Sequence, residues 1–193
     1  MAKLIVLDRD GVINEDLERP VTLIEEWVPI EGSLEAIAKL HQSGWHVAVA
    51  TNQSGIGLGL MDLITLHDIH RRMHELLAQV GGKIDVVAFC PHTDSDGCGC
   101  RKPAPGMLYT ISERLDIDLT HVTMVGDSLR DVQAAMAAAA SPIIVRTGKG
   151  QNTLDNHKGL EHIPAFDNLA SYVDDLLSPA TKASTSDKKP PTK

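Results

Sequence analysis

The sequence predicts an α/β fold built around a doubly wound and mostly parallel sheet. Short apolar runs recur along the chain, segments with helical periodicity lie between them, and the two kinds of segment alternate. This alternation predicts a parallel sheet, because a connection between parallel strands must cross over and usually holds a helix. The chain has 193 residues, which is enough for about one such domain.

The predicted strands are runs of apolar residues without a polar face. Such runs are typical of strands that helices cover on both sides of a parallel sheet. The first run ends directly before an acidic turn, and several later runs are also followed by polar or glycine-containing segments. The five predicted strands are Leu4–Leu7, Val47–Ala50, Val86–Phe89, Val122–Val125 and Ile143–Val145.

The predicted helices are segments whose apolar residues are three and four positions apart, so that these residues share one face. In the first segment this face includes Leu34, Ile37 and Leu40, and Gly44 stands where a glycine often ends a helix. The third segment has a proline in its first turn, a position that tolerates it. The four predicted helices are Ser33–Ser43, Asp62–Val80, Pro105–Leu115 and Leu129–Ala140.

Composition and charge exclude several classes of protein. A formal net charge of −8 argues against broad nucleic-acid binding, and aromatic residues, at 3%, are too few for base-stacking surfaces. No apolar run reaches the roughly 18–20 residues of a membrane helix, and the N-terminal apolar stretch is too short for a secretory signal. We therefore expect a cytoplasmic protein that binds a small molecule, with neither nucleic acid nor a membrane as a partner. We also expect a monomer, because no long apolar edge or heptad pattern indicates a partner surface.

The domain organisation follows from a change of composition near the C-terminus. Residues 1–177 keep the alternating pattern, and we expect them to form a single domain. Residues 178–193 are polar, contain prolines and lysines, and show no apolar periodicity. Such a segment buries too little apolar surface to fold, so we expect a disordered polar tail.

Two carboxylates follow the first predicted strand, in the segment Asp8–Gly11. Ligands of open α/β sheets bind beyond the carboxyl ends of the strands, so these residues lie at the expected site. Strand alternation predicts Asp8 and Asp10 on one side and Arg9 on the other. Two neighbouring carboxylates repel each other, and Mg²⁺, which favours oxygen ligands, would relieve that repulsion. The alternative is an ordinary solvated turn.

Three other segments are expected at the same edge of the sheet. Thr51–Gly55 follows the second strand and offers a hydroxyl, amides and a glycine, which are suited to phosphate oxygens. Gly126–Asp131 follows the fourth strand and adds carboxylates, while Arg101 and Lys102 add positive charge before the third helix. Together these segments predict a site for a metal ion and a phosphate group.

All three cysteines lie within eleven residues, and a histidine lies among them. Cys90, His92, Cys98 and Cys100 supply three thiolates and one imidazole, the number and kind of ligands in a closed tetrahedral zinc site. A closed site is structural, and this one would fix the loop that leads to Arg101 and Lys102. The alternative is three free thiols beside an incidental histidine. The remaining eight histidines are interpreted as having no special role. Three of them, His67, His70 and His74, have a helical spacing that could bind a metal, but a hydrated helix face is the favoured interpretation.

The order of these motifs resembles that of the haloacid dehalogenase (HAD) superfamily of phosphotransferases. The matching elements are Asp8–Gly11, the strand end at Thr51, Lys102 and Gly126–Asp131. The resemblance covers the chain up to about residue 175. It implies a Rossmann-like HAD fold with a minimal cap that carries the zinc-binding loop. It also implies a Mg²⁺-dependent phosphoric monoester hydrolase.

The resemblance also implies roles for individual residues. Asp8 matches the nucleophile that forms an aspartyl-phosphate, and Asp10 matches the residue that protonates the leaving oxygen and then deprotonates water. Asp8, the backbone carbonyl of Asp10, and Asp127 match the Mg²⁺ ligands. Thr51 and Lys102 match the groups that neutralise the phosphoryl group during transfer.

Within the superfamily, several stretches are similar to those of phosphatases that act on a heptose bisphosphate. The implied activity is hydrolysis of the C7 phosphate of D-glycero-D-manno-heptose 1,7-bisphosphate, on the route to nucleotide-activated heptose for lipopolysaccharide core or surface glycans. Arg101 would recognise the distal phosphate. The implied substrate-binding residues are Asp16, Leu17, Glu18, Arg19, Thr51, Asn52, Gln53, Ser54, Arg101, Lys102 and Ser128.

The sequence departs from the family pattern at two positions, and two other functions remain as alternatives to the heptose bisphosphate phosphatase. Ser128 stands where some members of the family have a lysine, and Leu58 where many have a basic residue, which leaves fewer cations for a second phosphate. One alternative is a phosphatase that acts on histidinol phosphate or on a broader range of sugar phosphates. The other is a zinc-stabilised binding module without catalysis, which senses Mg²⁺ or phosphate.

Overall fold

The computed structural model describes residues 2–178 and shows a six-stranded sheet in which every neighbouring pair of strands is parallel. The strand order is β3-β2-β1-β4-β5-β6, so the predicted doubly wound fold is confirmed. The strands are β1 Lys3–Leu7, β2 Trp45–Asn52, β3 Val86–Cys90, β4 Thr123–Gly126, β5 Ser141–Val145 and β6 Ala165–Phe166.

Six α-helices alternate with the strands. They are α1 Ser33–Gln42, α2 Leu63–Gln79, α3 Gly106–Leu115, α4 Leu129–Ala137, α5 Gly150–Asn156 and α6 Leu169–Leu177. Three short 3-10 helices, at Ile24–Glu26, Asp94–Asp96 and Leu119–His121, lie in the connections. Only the single helix α2 separates β2 from β3, so this connection holds no lid domain, as expected for a minimal cap.

Each face of the sheet buries a large hydrophobic cluster, and a smaller third cluster is formed by Val132, Ile144, Leu160 and Ile163. Alternate residues of β1 divide between the two large clusters: Ile5 packs with α1, α2 and α6, whereas Val6 packs with α3 and α4. This division follows from the two-residue period of side chains along a strand. Both faces are therefore covered, and the carboxyl edge of the sheet is the place where polar side chains collect.

The first four helices and the first five strands match the predicted segments within a few residues. The fourth helix ends earlier than predicted, at Ala137, since Ala139 already has a left-handed backbone with φ 58°. The sequence analysis missed β6, α5 and α6. The strand β6 has two residues, and the seven residues of α5 carry little apolar periodicity. By contrast, α6 has an apolar face and an Asn168 cap that could have revealed it.

Two further expectations concern the C-terminal tail and membrane-spanning helices. The predicted tail, residues 178–193, lies outside the described residues except for Ser178. Among residues 2–178, none of the helices combines the length and the apolar character that crossing a membrane would require.

The order of the strands reverses between β1 and β4. The chain runs from β1 outward to β3 and then returns to place β4 on the other side of β1. Such a reversal opens a crevice beyond the carboxyl ends of the two strands, where α/β proteins bind ligands. Asp8 follows β1 and Asp127 follows β4, so both carboxylates lie at this crevice.

Candidate active site

Three carboxylates converge where β1 and β4 end. Oxygens of Asp8, Asp127 and Asp131 lie within 4.8 Å of one another. Lys102 joins them from the loop before α3, with Nζ 2.8 Å from Asp8 Oδ2 and 2.6 Å from Asp131 Oδ1. All four residues are buried. One lysine therefore faces three buried carboxylates, which leaves an excess of negative charge.

This excess charge changes the pKa values of the carboxyl groups. Burial raises the pKa of Asp8 well above its usual range. Lys102 lowers this pKa, but the negative charges of Asp131 and Asp127 raise it and offset part of the effect of Lys102. Burial and the charge of Asp131 raise the pKa of Asp127 to about 7. Burial opposes ionisation of Asp131 too, but Lys102 lowers the pKa of that carboxyl. A divalent cation beside Asp8 and Asp127 would remove the repulsion.

Glycines and main-chain donors hold Asp127 in place. Gly11 and Gly148 have φ values of 82° and 55°, and a Cβ atom on either residue would collide with the Asp127 carboxylate. The backbone N–H of Lys149 donates to Asp127 Oδ2 at 2.8 Å, and Thr153 Oγ1 donates to its main-chain oxygen at 2.9 Å. The segment after β5 thus orients the carboxylate that follows β4.

The Asp10 carboxylate lies apart from this group. It accepts hydrogen bonds from Arg9 Nη2 at 2.9 and 3.0 Å, from Asn14 Nδ2 at 2.9 Å and from Gln53 Nε2 at 2.9 Å. The prediction that Arg9 points away from Asp10 is therefore wrong. Strand alternation stops applying here because β1 ends at Leu7 and the chain turns through residues 9–14.

The end of β2 reaches the site in the expected place, but the side chains of its last two residues bind protein groups. Thr51 is buried, and its Oγ1 accepts from Gln53 Nε2 at 2.9 Å. Asn52 donates to the main-chain oxygen of Lys102 and accepts from its N–H, both at 3.0 Å. Asn52 therefore holds the loop before α3, which carries Lys102, against β2. Ser54 lines the cleft.

The other predicted substrate contacts divide into two groups. Asp16, Glu18 and Arg19 line the cleft, whereas Leu17 packs against the hydrophobic core. Ser128 also lines the cleft, but its hydroxyl is used as the cap of α4 and donates to Asp131 Oδ2 at 2.6 Å.

Sequence reasoning missed several residues of the cleft. Asp131 was seen only as part of an acidic segment, although its place as the third residue of α4 after Ser128 is a capping pattern that could have marked it. Arg130 and Lys149 also line the cleft and supply positive charge near Ser128. Lys149 Nζ lies 2.7 Å from Asp16 Oδ2.

Arg101 lies at the rim of the cleft, next to the cysteine loop. Its Nε donates to Asp94 Oδ1 at 2.5 Å, and its Nη1 donates to the main-chain oxygen of His92 at 3.2 Å. Arg130 Nη1 lies 3.9 Å from the same Asp94 oxygen. Two arginines from different elements therefore share one exposed carboxylate at the mouth of the cleft.

The four predicted zinc ligands converge. The Sγ atoms of Cys90, Cys98 and Cys100 are 3.2 to 3.6 Å apart, and no disulfide joins them. His92 directs Nδ1 at the cluster, 3.5 Å from Cys90 Sγ and 3.2 Å from Cys100 Sγ. These separations are close to the edges of a tetrahedron with metal–sulfur bonds of about 2.3 Å. The cluster thus has the donor set and the size of a closed zinc site.

The interpretation of the histidines on α2 is wrong in one case. His67 and His74 are exposed, as expected, but His70 is buried, and its Nε2 lies 3.3 Å from Arg9 Nη1. Burial, followed by the positive charge of Arg9, lowers the pKa of His70 to about 3. The residue is therefore a neutral part of the interior next to Asp10.

Comparisons with known proteins agree with this geometry. Residues 99–176 match the family described as HAD-hydrolase-like. The D-glycero-beta-D-manno-heptose-1,7-bisphosphate 7-phosphatase of Bordetella bronchiseptica is 49% identical over 178 residues, which are 92% of this chain and 99% of that protein. The protein of the same name from Pseudomonas putida is 50% identical over 91% of this chain and 99% of its own length.

A solved structure gives the same result. The crystal structure of D,D-heptose 1,7-bisphosphate phosphatase from B. bronchiseptica, complexed with magnesium and phosphate, superposes with a TM-score of 0.88. It is 50% identical in sequence, and the match covers 91% of this chain and 98% of that one. Half of the residues are thus shared over nearly the full length of both proteins. The chain belongs to the D-glycero-D-manno-heptose 1,7-bisphosphate 7-phosphatase family of HAD-like hydrolases.

Proposed function

We propose that this chain hydrolyses the C7 phosphate of D-glycero-β-D-manno-heptose 1,7-bisphosphate. The observation that carries the proposal is the grouping of Asp8, Asp127 and Lys102 at the crevice between β1 and β4. The substrate and its β anomer come from the relatives that share about half of the sequence and carry that name.

The carboxylates at the crevice fit a magnesium ion. Mg²⁺ prefers oxygen ligands, and the buried cluster carries more negative charge than Lys102 balances. Asp8, Asp127 and the backbone carbonyl of Asp10 would hold the ion. The Asp131 oxygens already accept from Ser128 and lie beside Lys102, so Asp131 serves to place the lysine. When bound, the ion neutralises charge on the phosphoryl group.

The protein's own residues divide the chemistry between them. An oxygen of Asp8 attacks phosphorus and the bond to the sugar oxygen breaks. Asp10 gives that oxygen a proton, so Asp10 must enter this step protonated. Burial favours the protonated form, although Arg9 lowers the pKa of Asp10. Asp10 then takes a proton from water, which attacks phosphorus and releases phosphate from Asp8. Lys102 and the Thr51 hydroxyl stabilise the charge on the phosphoryl oxygens during both transfers.

The distal phosphate, on C1, meets the cations at the rim of the cleft. Arg101 and Arg130 reach this rim from the cysteine loop and from α4, and both lie near Asp94. A phosphate dianion offers several acceptors to such planar donors and would displace the exposed Asp94 carboxylate. Arg130 thereby supplies positive charge two residues after Ser128.

Zinc is the proposed ion for the second cluster. Three thiolates and one imidazole favour Zn²⁺ over Mg²⁺, and the four ligands leave no open position for water. The role is therefore structural. Because Cys100 directly precedes Arg101 and Lys102, the ion would fix the part of the chain that brings both cations to the cleft.

The test is phosphate release with Mg²⁺ from both anomers of the heptose bisphosphate, from histidinol phosphate and from fructose 1,6-bisphosphate, compared by kcat/KM. We expect about 100-fold preference for the β anomer over histidinol phosphate, which corresponds to about 2.7 kcal/mol. The Asp8→Asn variant is expected to fold and to show no turnover. Equal rates on all four substrates would contradict the proposed substrate, and an active Asp8→Asn protein would contradict the proposed mechanism.

A further inference from the structure

A fully buried guanidinium holds the Asp10 carboxylate from within the protein. Arg9 is inaccessible to solvent. Its Nη2 donates to both Asp10 oxygens, at 2.9 and 3.0 Å, and its Nε approaches Oδ1 at 3.3 Å. Asn14 and Gln53 add one donor each. The carboxylate is thus surrounded by donors, and the largest share comes from one arginine.

His70 holds the other end of this guanidinium. The residue lies on α2, and its Nε2 is 3.3 Å from Arg9 Nη1. Burial lowers the pKa of His70 to about 3, so the imidazole is neutral near pH 7. An arginine can only donate, and therefore Nε2 accepts the hydrogen bond and Nδ1 carries the ring proton. This contact gives Arg9 an acceptor on the side that faces away from Asp10.

We propose that His70 is a positioning residue that acts through Arg9 to fix the Asp10 carboxylate for proton transfer to the leaving oxygen. Without an acceptor at position 70, the buried Nη1 would lack a partner, and the guanidinium could turn to find one. Because the same guanidinium binds both oxygens of Asp10, its rotation would displace the carboxylate. The inference rests on the proposed function, in which Asp10 is the general acid.

The inference predicts a loss that depends on the leaving group. In the first transfer, the bond from phosphorus to Asp8 forms and the bond to the leaving oxygen breaks. That oxygen takes the proton that Asp10 acquired from water in the second transfer of the preceding turnover. A sugar alkoxide needs this proton, because it is a poor leaving group. A 4-nitrophenolate leaves without one. A misplaced Asp10 should therefore slow the first kind of substrate and spare the second.

The experiment compares His70→Phe, which keeps a ring but removes the acceptor, with His70→Gln, whose amide oxygen can accept from Arg9. The matched control is His67→Phe on the exposed face of the same helix. kcat/KM is measured with the heptose bisphosphate and with 4-nitrophenyl phosphate. For each substrate, kcat/KM depends only on the steps up to departure of the leaving group, which are the steps that need the Asp10 proton. Thermal unfolding verifies that each variant is folded.

We expect His70→Phe to lower kcat/KM about tenfold for the heptose bisphosphate, a part of the 10²–10⁴ that general acid catalysis contributes. With 4-nitrophenyl phosphate the change should stay within about twofold, because that substrate needs no general acid. His70→Gln should restore most of the loss, and His67→Phe should change neither substrate.

Equal losses on both substrates would overturn the inference, because they would indicate general damage to the site. So would full activity of His70→Phe, or a His70→Gln variant no better than His70→Phe. Failure of the proposed function looks different, since it would already be seen in the unaltered protein, as no hydrolysis of the heptose bisphosphate or no preference for it. If it hydrolyses an alkyl phosphate other than the heptose bisphosphate, that ester takes its place in the same comparison.

Discussion

Asp131 shows how one buried side chain can serve a reaction without touching the substrate. Its Oδ1 lies 2.6 Å from Lys102 Nζ, and its Oδ2 accepts from the hydroxyl and the N–H of Ser128. Burial opposes the charge of Lys102, but the carboxylates of Asp131 and Asp8 raise the pKa of the lysine above its usual value. The lysine is therefore charged, and its position depends on two carboxylates.

Replacement of Asp131 by asparagine should weaken catalysis while the Asp8 nucleophile stays intact. The amide keeps the size of the side chain but removes the charge that holds Lys102, so the lysine is drawn towards Asp8 alone. We expect kcat to fall about 100-fold, similar to the loss of one group that stabilises transition-state charge. Steady-state kinetics with the heptose bisphosphate test this, with Asp155→Asn, an exposed substitution on α5, as the control. A kcat within threefold of the unaltered protein would be inconsistent with this role.

Arg130 should decide affinity for the distal phosphate. Its side chain is half exposed and lines the cleft near Arg101, so its substitution removes a charge without disturbing the interior. Arg130→Gln should raise KM for the heptose bisphosphate about tenfold, the value of one charge-assisted hydrogen bond. The KM for 4-nitrophenyl phosphate, which has no second phosphate, should not change. Arg71→Gln on the surface of α2 is the control, and equal effects on both substrates would argue against the assignment.

At the scale of elements, the cysteine loop between β3 and α3 takes the place of a lid domain. It is held by the Cys90 cluster at its base and carries Arg101 and Lys102 at its end. The Asn52 side chain attaches the same loop to β2 through both of its hydrogen bonds with Lys102. The loop thus has two attachments, and the proposed zinc site is the one that a chelator can remove.

Removal of zinc should therefore reduce both stability and activity. We expect about one zinc per chain in protein purified without added zinc, because the four ligands form one closed site. A strong chelator should lower the melting temperature, and Mg²⁺ added back after removal of the chelator should not restore activity, whereas Zn²⁺ with Mg²⁺ should. Cys98→Ser should behave like the chelated protein. Protein without zinc whose three thiols react freely would contradict the site.

The elements also show what a single sequence can and cannot predict. The strand ends after Leu7, Asn52 and Gly126 carry their polar residues within the next few positions, so local pattern and the rules of parallel sheets were enough to predict that they meet. The four predicted zinc ligands lie within eleven residues of one another, so their grouping could also be predicted from a local pattern. The pairing of Arg9 with Asp10 could not be predicted from strand alternation, because it depends on the turn after β1.

Contacts between distant elements were the least accessible to sequence reasoning. His70 has the spacing of a helix surface, and only the packing of α2 against the turn after β1 makes it an interior residue. Lys149 comes to Asp16 and Asp127 because the segment after β5 folds over the crevice. Arg130 reaches the rim because α4 begins there. Each contact needs the arrangement of the whole sheet, which no local pattern specifies.

At the scale of the whole molecule, the buried His70 links folding to pH. The charges around it are Arg9 and Asp10 from the turn after β1 and the histidines His74 and His67 on its own helix. In the folded protein its pKa is lowered to about 3, whereas an unfolded chain has a histidine pKa of about 6.5. Between these values the unfolded state binds a proton that the folded state does not, so acid favours unfolding.

The stability that this histidine contributes is therefore complete above about pH 6.5 and falls steadily as the pH decreases towards 3. Between pH 7.5 and pH 5 the loss from this one group is about 2 kcal/mol. Urea unfolding of the unaltered protein and of His70→Gln at both pH values isolates the effect, since the other titrating groups, including the cysteine cluster, are common to both. We expect the unaltered protein to lose about 2 kcal/mol more than the variant. An equal loss in the two proteins would mean that His70 takes up a proton as readily in the folded state as in the unfolded chain, and its neutral contact with Arg9 would then be wrong.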